Sequence, residues 1–245
     1  MTYEGFQIFI YPLISLFAVF TVVFAVRTIF FIRRQEAEAG IDIGTKKVLI
    51  WVFGLIAVGY ALWALAEIAW DIHSLFVEEL VYSFVADPLW MIGYPFITAG
   101  FLYLSYTVYK SHKEKRKVAY WVGATVLVAL FLYFLIRTYI IPFIGEEKLI
   151  LAFVDLYYPI ASAVAFVSAL SALIFFRKSN LSTPMILLAV SLIFSFAGDM
   201  LYTYETWNEL GYGVWGVLYD SFYALEYIAA GSAFYILSSK SGKTG

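Results

Sequence analysis

Glu67 and Trp70, then Asp87, Trp90 and Tyr94, then Asp199 and Tyr202, then Asp220, Tyr223 and Tyr227 fall three, four or seven residues apart, the separations that put side chains on one face of an α-helix. Each set joins a carboxylate to large aromatic rings. Carboxylates attract positive charge, and the faces of Trp and Tyr rings hold a cation through their quadrupole. Such faces suit an inorganic cation or an organic ammonium. Trp63, Asp71 and Ser74 extend the first face, Thr98 the second, and Ser195 and Thr206 the third. Glu226, next to Tyr227, stands twelve positions into the apolar segment Val214 to Ser238. It reads equally as a proton-coupling or ligand-binding carboxylate and as an uncharged acid hydrogen-bonded between helices. Asp87 directly precedes Pro88, a common helix start, so helix capping stands beside ligand binding as its role.

The elements that must position these faces are membrane helices. Of 245 residues, 63% are hydrophobic, 20% aromatic and 14% charged, with no cysteine. Mean hydropathy is +0.84. Globular domains average about 45–50% apolar and about 25% charged residues, so a soluble or disordered chain is excluded as the leading reading. The absence of Cys removes disulfides and thiol catalysis. A net charge of −2 gives no reason to expect a nucleic-acid partner. A spanning helix needs about 20 mostly apolar residues, and seven segments qualify: Phe6 to Ile32, Val48 to Ile72, Asp87 to Tyr109, Val118 to Ile141, Leu149 to Phe176, Thr183 to Glu205 and Val214 to Ser238. The first, with no basic stretch before it, reads as a mature span rather than a signal peptide. The expected fold is an all-α, integral-membrane seven-helix bundle, one domain over residues 1–245, multi-pass in the cell membrane with the lipid bilayer as its surroundings.

Cations set the expected orientation, because short cytoplasmic loops collect Lys and Arg. Arg33, Arg34, Lys46 and Lys47 follow the first span; Lys110, Lys113, Lys115, Arg116 and Lys117 follow the third. Arg177 and Lys178 follow the fifth, and Lys240 and Lys243 the seventh, against Lys148 alone on the other side. The N-terminus is therefore expected outside and the C-terminus in the cytoplasm. On that reading Glu67, Asp87, Asp155, Asp199 and Asp220 all lie in the outer third of the bilayer, around an outward-facing cavity with acidic and aromatic walls. Arg137, in the outer part of the fourth span, is expected to pair with Asp155.

The sequence also repeats itself. Glu67-Ile-Ala-Trp70 matches Asp199-Met-Leu-Tyr202, and Asp87-x-x-Trp90-x-x-Gly93-Tyr94 matches Asp220-x-x-Tyr223-x-x-Glu226-Tyr227. Tyr11-Pro12 resembles Tyr158-Pro159. This predicts a 3+1+3 tandem parallel repeat: copy one over residues 6–109, a connector helix over 118–141, and copy two over 149–238. Gly93-Tyr94-Pro95 and Tyr158-Pro159 are expected kinks, and the small residues from Ala161 to Ala172 an internal close-packing face.

Several chemistries lack their parts. No Lys lies in any span to carry a retinal Schiff base, and His73 and His112, the two histidines, lie at or beyond span ends. That leaves no membrane-buried haem ligand and no multi-His zinc site. Asp71, His73 and Asp87 near a loop make only a weak metal set. Gly198-Asp199 and Tyr219-Asp220 lack the order and form of intramembrane aspartyl proteases. No catalytic residues, enzyme activity, cofactor or metal are therefore expected.

Glu67-x-x-Trp70 followed by Asp87-x-x-Trp-x-x-Gly-Tyr-Pro95-x-x-x-x-Gly100, repeated more loosely from Asp199 to Tyr227, resembles the polytopic membrane input regions of prokaryotic histidine kinases and diguanylate cyclases. The resemblance covers spans two, three, six and seven. It implies a sensor that binds a small ligand, such as a cation, among Glu67, Trp70, Asp87, Trp90, Tyr94, Asp199, Tyr202, Asp220, Tyr223, Glu226 and Tyr227. Only Ser239 to Gly245 follow the last span, so the expected output is a separate cytoplasmic signalling protein, or a domain that this sequence does not include. The alternative is a small-molecule or cation transporter whose two three-helix halves rock about a midplane site at Glu226. A cavity closed beneath Glu226 would favour sensing; one open at both ends would favour transport.

Overall fold

Long runs of Ile, Leu, Val, Phe and Ala leave the backbone as the main polar group, and within hydrocarbon a helix satisfies that backbone by itself. A computed structural model describes residues 3–34, 43–76, 83–112, 149–176, 181–208 and 210–239, and its regular structure is entirely helical. The six helices are α1 (Tyr3–Arg34), α2 (Ile43–Phe76), α3 (Ala86–His112), α4 (Leu149–Phe176), α5 (Ser182–Trp207) and α6 (Val214–Ser239). Four are long and apolar enough to cross a membrane: Gly5–Arg34, Lys46–Phe76, Val154–Leu173 and Ser182–Trp207, within α1, α2, α4 and α5. Helices α3 and α6 have 27 and 26 residues, length enough to span, but each carries part of the acid-and-tyrosine face, which lowers its apolar content. The expected connector over 118–141 lies outside the described residues, as does Arg137.

Each helix packs against the next, and α6 packs back against α1, closing a ring of six. The side chains around the cavity described below come from the first halves of α1, α3 and α4, the first half and middle of α6, and the second halves of α2 and α5. Helices α1, α3, α4 and α6 thus run one way and α2 and α5 the other. Arg33, Arg34, Lys46 and Lys47 stand at the end of α1 and the start of α2, remote from the cavity.

Small residues let the ring close. Thr21 and Thr28, two turns apart on α1, donate to the carbonyls of Tyr227 and Phe234 on α6, each at 2.9 Å. Opposite Thr21 is Gly231, where an added Cβ would meet Thr21 Oγ1 at 3.1 Å. Bonds of this kind within membranes average about 0.6 kcal/mol and reach about 1.7 kcal/mol. Helices α2 and α3 approach through Gly59 and Gly93: a Cβ on Gly59 would lie 2.8 Å from the Gly93 carbonyl oxygen. On α4 the small-residue face is buried as expected, with Ser162, Ala165, Ala169 and Ala172 at 7% exposure or less.

The prolines couple helices rather than merely bending them. Pro95 cannot donate to the carbonyl four residues back, that of Met91, and Tyr157 of α4 does so at 2.5 Å. Pro159 likewise frees the carbonyl of Asp155, which accepts from Thr203 of α5 at 3.0 Å. Away from the cavity, Phe53, Ile56, Ile97, Phe101, Leu188 and Phe234 are at most 1% exposed and fill the interior. Phe234 packs edge-on against Tyr60 at 6.0 Å and Phe53 at 6.4 Å between ring centroids.

Candidate functional site

The acid and aromatic faces of α2, α3, α5 and α6 converge on one cavity of about 100 Å³. A cavity needs roughly 10–15 Å³ on this measure to hold one water, so there is room for a small organic molecule. All eleven residues expected to bind a ligand line it: Glu67, Trp70, Asp87, Trp90, Tyr94, Asp199, Tyr202, Asp220, Tyr223, Glu226 and Tyr227. Tyr11, Ile14, Trp63, Tyr158, Ser195 and Tyr219 complete the wall. Two of these additions were already visible on the acid faces: Trp63 precedes Glu67 by one turn, and Ser195 precedes Asp199. Tyr11 and Tyr158 each precede a proline, a context that drew attention to backbone shape rather than to the side chain.

Five carboxylates line the cavity, and among the described residues of its lining none is Lys, Arg or His. Hydroxyl and indole donors hold four of the acids. Asp199 accepts from Tyr94 at 2.7 Å on one oxygen and from Tyr223 at 3.0 Å on the other. Glu67 accepts from Tyr227 at 2.7 Å and from Trp90 Nε1 at 3.2 Å, both on Oε1. The arrangement crosses the ring: Tyr94 on α3 reaches the acid of α5, while Tyr227 on α6 reaches the acid of α2. Asp87 takes the hydroxyl of Tyr158 on Oδ1, and Asp220 takes the hydroxyl of Tyr212 on Oδ2. Tyr212 lies outside the helices, between α5 and α6. Burial, and then the neighbouring Asp220 carboxyl, push its phenol above the ordinary tyrosine range, so it remains a donor at neutral pH.

Glu226 is different. It is 2% exposed, its Oε1 has no hydrogen-bond partner, and it faces the cavity. Ser195 lies beside it, but the Ser195 hydroxyl is engaged with Tyr94 at 3.0 Å.

Of the two roles expected for Asp87, the structure shows the cap, and it places the residue on the cavity wall. Helix α3 begins at Ala86, so Asp87 sits inside the first turn rather than before it. From there its Oδ2 reaches back to accept the backbone N–H of Ser83 at 2.7 Å, while Ser83 Oγ accepts from the N–H of Ala86 at 3.1 Å. This is a reciprocal cap one residue longer than the usual box, and Asp87's other oxygen faces the cavity wall. Asp155 is not part of that wall; its side chain accepts from Trp207 Nε1 at 3.0 Å. Asp71 also stands apart and accepts from Ser15 at 2.7 Å. No group of three His, Asp or Glu among the described residues is placed to hold a metal ion.

The rings brace one another. Trp63 and Tyr94 meet edge-on at 4.6 Å, Trp70 and Trp90 at 5.8 Å, and Tyr202 and Tyr219 edge-on at 5.6 Å. Trp63 is also anchored by its indole N–H, which donates to the Trp90 carbonyl at 3.0 Å. The result is an acceptor-rich recess whose ionisable side chains, among the described residues, are acids and tyrosines, an arrangement suited to binding a cation. Neither protein-family models, nor curated proteins, nor solved structures provide a match to this chain.

Proposed function

We propose that the chain is a multi-pass receptor-like module of the cell membrane, which takes a small cation into the acidic and aromatic cavity and signals to a separate cytoplasmic partner. The observation that carries this reading is the gathering of five carboxylates and ten Trp and Tyr rings around one cavity, with no basic side chain among the described residues of its wall. In a low-dielectric site such a set attracts a cation strongly, and the ring faces add to that attraction.

The full architecture is seven spans in a 3+1+3 plan, N-terminus outside. Two features of the helices support it. Helices α3 and α4 run in the same direction, so the chain leaves α3 at one end of the bundle and enters α4 at the other. The crossed pairs Tyr94 to Asp199 and Tyr227 to Glu67 are the contacts expected of two copies facing each other across a pseudo-two-fold axis. The described cations Arg33, Arg34, Lys46 and Lys47 lie at the end remote from the cavity, in keeping with an outward-facing site. The packed interior beyond Tyr60 favours a receptor over an open pathway. Movement of α3, α4 and α6 would carry the signal, with α3 and α4 linked through the Tyr157–Met91 and Tyr158–Asp87 contacts.

A transporter is the second reading, favoured by Glu226, an acid near mid-helix that has a free oxygen and belongs to a two-copy frame. Proteoliposomes separate the two. A cation that quenches or enhances tryptophan fluorescence saturably, without protein-dependent flux of the same cation, is the result a receptor predicts. Saturable flux abolished by Glu226→Gln would replace it with the transporter.

A further inference from the structure

Resting on the cation reading, the donor and acceptor inventory of the cavity narrows the kind of cation. Tyr94, Tyr223, Tyr227 and Trp90 already donate their hydrogens to Glu67 or Asp199, and Tyr158 and Tyr212 donate theirs to Asp87 and Asp220. These six donors are therefore spent on the cavity's own acids. What it still offers is acceptors: Glu226 Oε1, and the second oxygens of Glu67 and Asp220, for which the described hydrogen bonds supply no donor. Glu67 lies near enough to both Glu226 and Asp220 for their charges to interact.

A guest that completes this inventory must carry positive charge and N–H or O–H donors together. A bare metal ion brings charge but needs a close shell of oxygens, and no three acids among the described residues are grouped for one. A quaternary ammonium suits the rings but has no N–H for Glu226. We infer that the cavity is a site for a small alkylammonium with N–H donors, its head at Glu226 beside Glu67 and its carbon chain against the Trp and Tyr rings. A cavity of about 100 Å³ limits the guest to a few heavy atoms.

Butylammonium and tetramethylammonium are isomeric cations, equal in charge and atom count, that differ in having three N–H bonds or none. Thermal unfolding of the purified full chain at neutral pH, with each cation, calcium or 1-butanol, tests the assignment. At saturation butylammonium should raise the apparent Tm by about 5 °C or more, and tetramethylammonium by less than half as much. The shift should vanish in Glu226→Gln, return in part in Glu226→Asp, and persist in Asp71→Asn, whose carboxylate lies outside the cavity wall. Equal shifts with both isomers would overturn the N–H requirement while leaving a cation site standing. A shift with calcium alone would overturn the organic ligand. A shift with 1-butanol as large as with butylammonium, or no shift with any compound, would overturn the cation reading itself. Should Glu226→Gln fail to fold, the comparison of isomers in the unaltered chain still decides.

Discussion

Helix pairs α2–α3 and α5–α6 carry the same acid and aromatic spacing but finish their corners of the cavity differently. On α2 and α3 the corner holds Trp63 and Gly93; on α5 and α6 the corresponding places hold Ser195 and Glu226. The indole of Trp63 lies so close to Gly93 that a Cβ there would be 2.3 Å from it, and its N–H is engaged by the Trp90 carbonyl. That corner is filled and hydrogen-bonded. In the other, a small Ser replaces the large ring, and the room is taken by a carboxyl with one oxygen unmatched. The first pair is finished as structure, the second as a place where something else can bond. Two similar frames thus yield one asymmetric site, and its asymmetry rests on two exchanges, Trp for Ser and Gly for Glu.

The strongest way to break the filled corner is Gly93→Ala. The new methyl collides with a 2%-exposed indole and should destabilise by about 1–3 kcal/mol, which is a fall of several degrees in Tm for a chain of this size. Differential scanning calorimetry in detergent reads it.

Next comes the contrast between the two bonded acids. Asp199 uses one oxygen for Tyr94 and the other for Tyr223, whereas Glu67 takes both donors on Oε1. An amide keeps one acceptor oxygen, so Asp199→Asn must turn an N–H toward a tyrosine hydroxyl and should lose about 1–2 kcal/mol. Glu67→Gln can keep both bonds and should lose less than half of that. Equal losses in paired unfolding curves would mean that the acids are not distinguished by their hydrogen bonds.

A smaller effect, about 0.6–1.7 kcal/mol, is expected for Tyr157→Phe, which leaves the Met91 carbonyl without the donor that replaces the missing N–H of Pro95. In a Pro95→Ala background position 95 supplies its own N–H, and the same change should be nearly silent. A double-mutant cycle measures that difference. The smallest stability effect, within about 0.5 kcal/mol, belongs to Glu226→Gln, since Oε1 has no hydrogen-bond partner to lose. The residue that matters least for folding is then the one that matters most for binding.

The sequence carried the site further than the fold around it. Helical spacing alone put the eleven acid and aromatic residues on convergent faces, because in a bundle of straight apolar helices a polar stripe has nowhere to turn but inward. Spacing did not reveal how many bonds each acid makes, since that depends on which helices become neighbours across the ring. The Asp87 cap needed Ser83, a loop residue four positions earlier, and among the described residues Trp207, more than fifty residues away in the sequence, donates to the Asp155 side chain. The pairing of Asp155 with Arg137 that charge complementarity suggests falls on a position outside the described residues. The prolines were legible as breaks in the backbone pattern, but their pairing with Tyr157 and Thr203 was not. Apolar content alone supports four membrane-crossing helices; the acids and tyrosines on α3 and α6 lower the apolar content of those two.

Isothermal titration of butylammonium into the purified chain, unaltered and as Glu226→Gln, tests the central claim most directly. Saturable one-to-one binding in the unaltered chain, weakened at least tenfold by the substitution, is the expected result. Binding of equal strength in both proteins, or none in either, would contradict a cation site at Glu226.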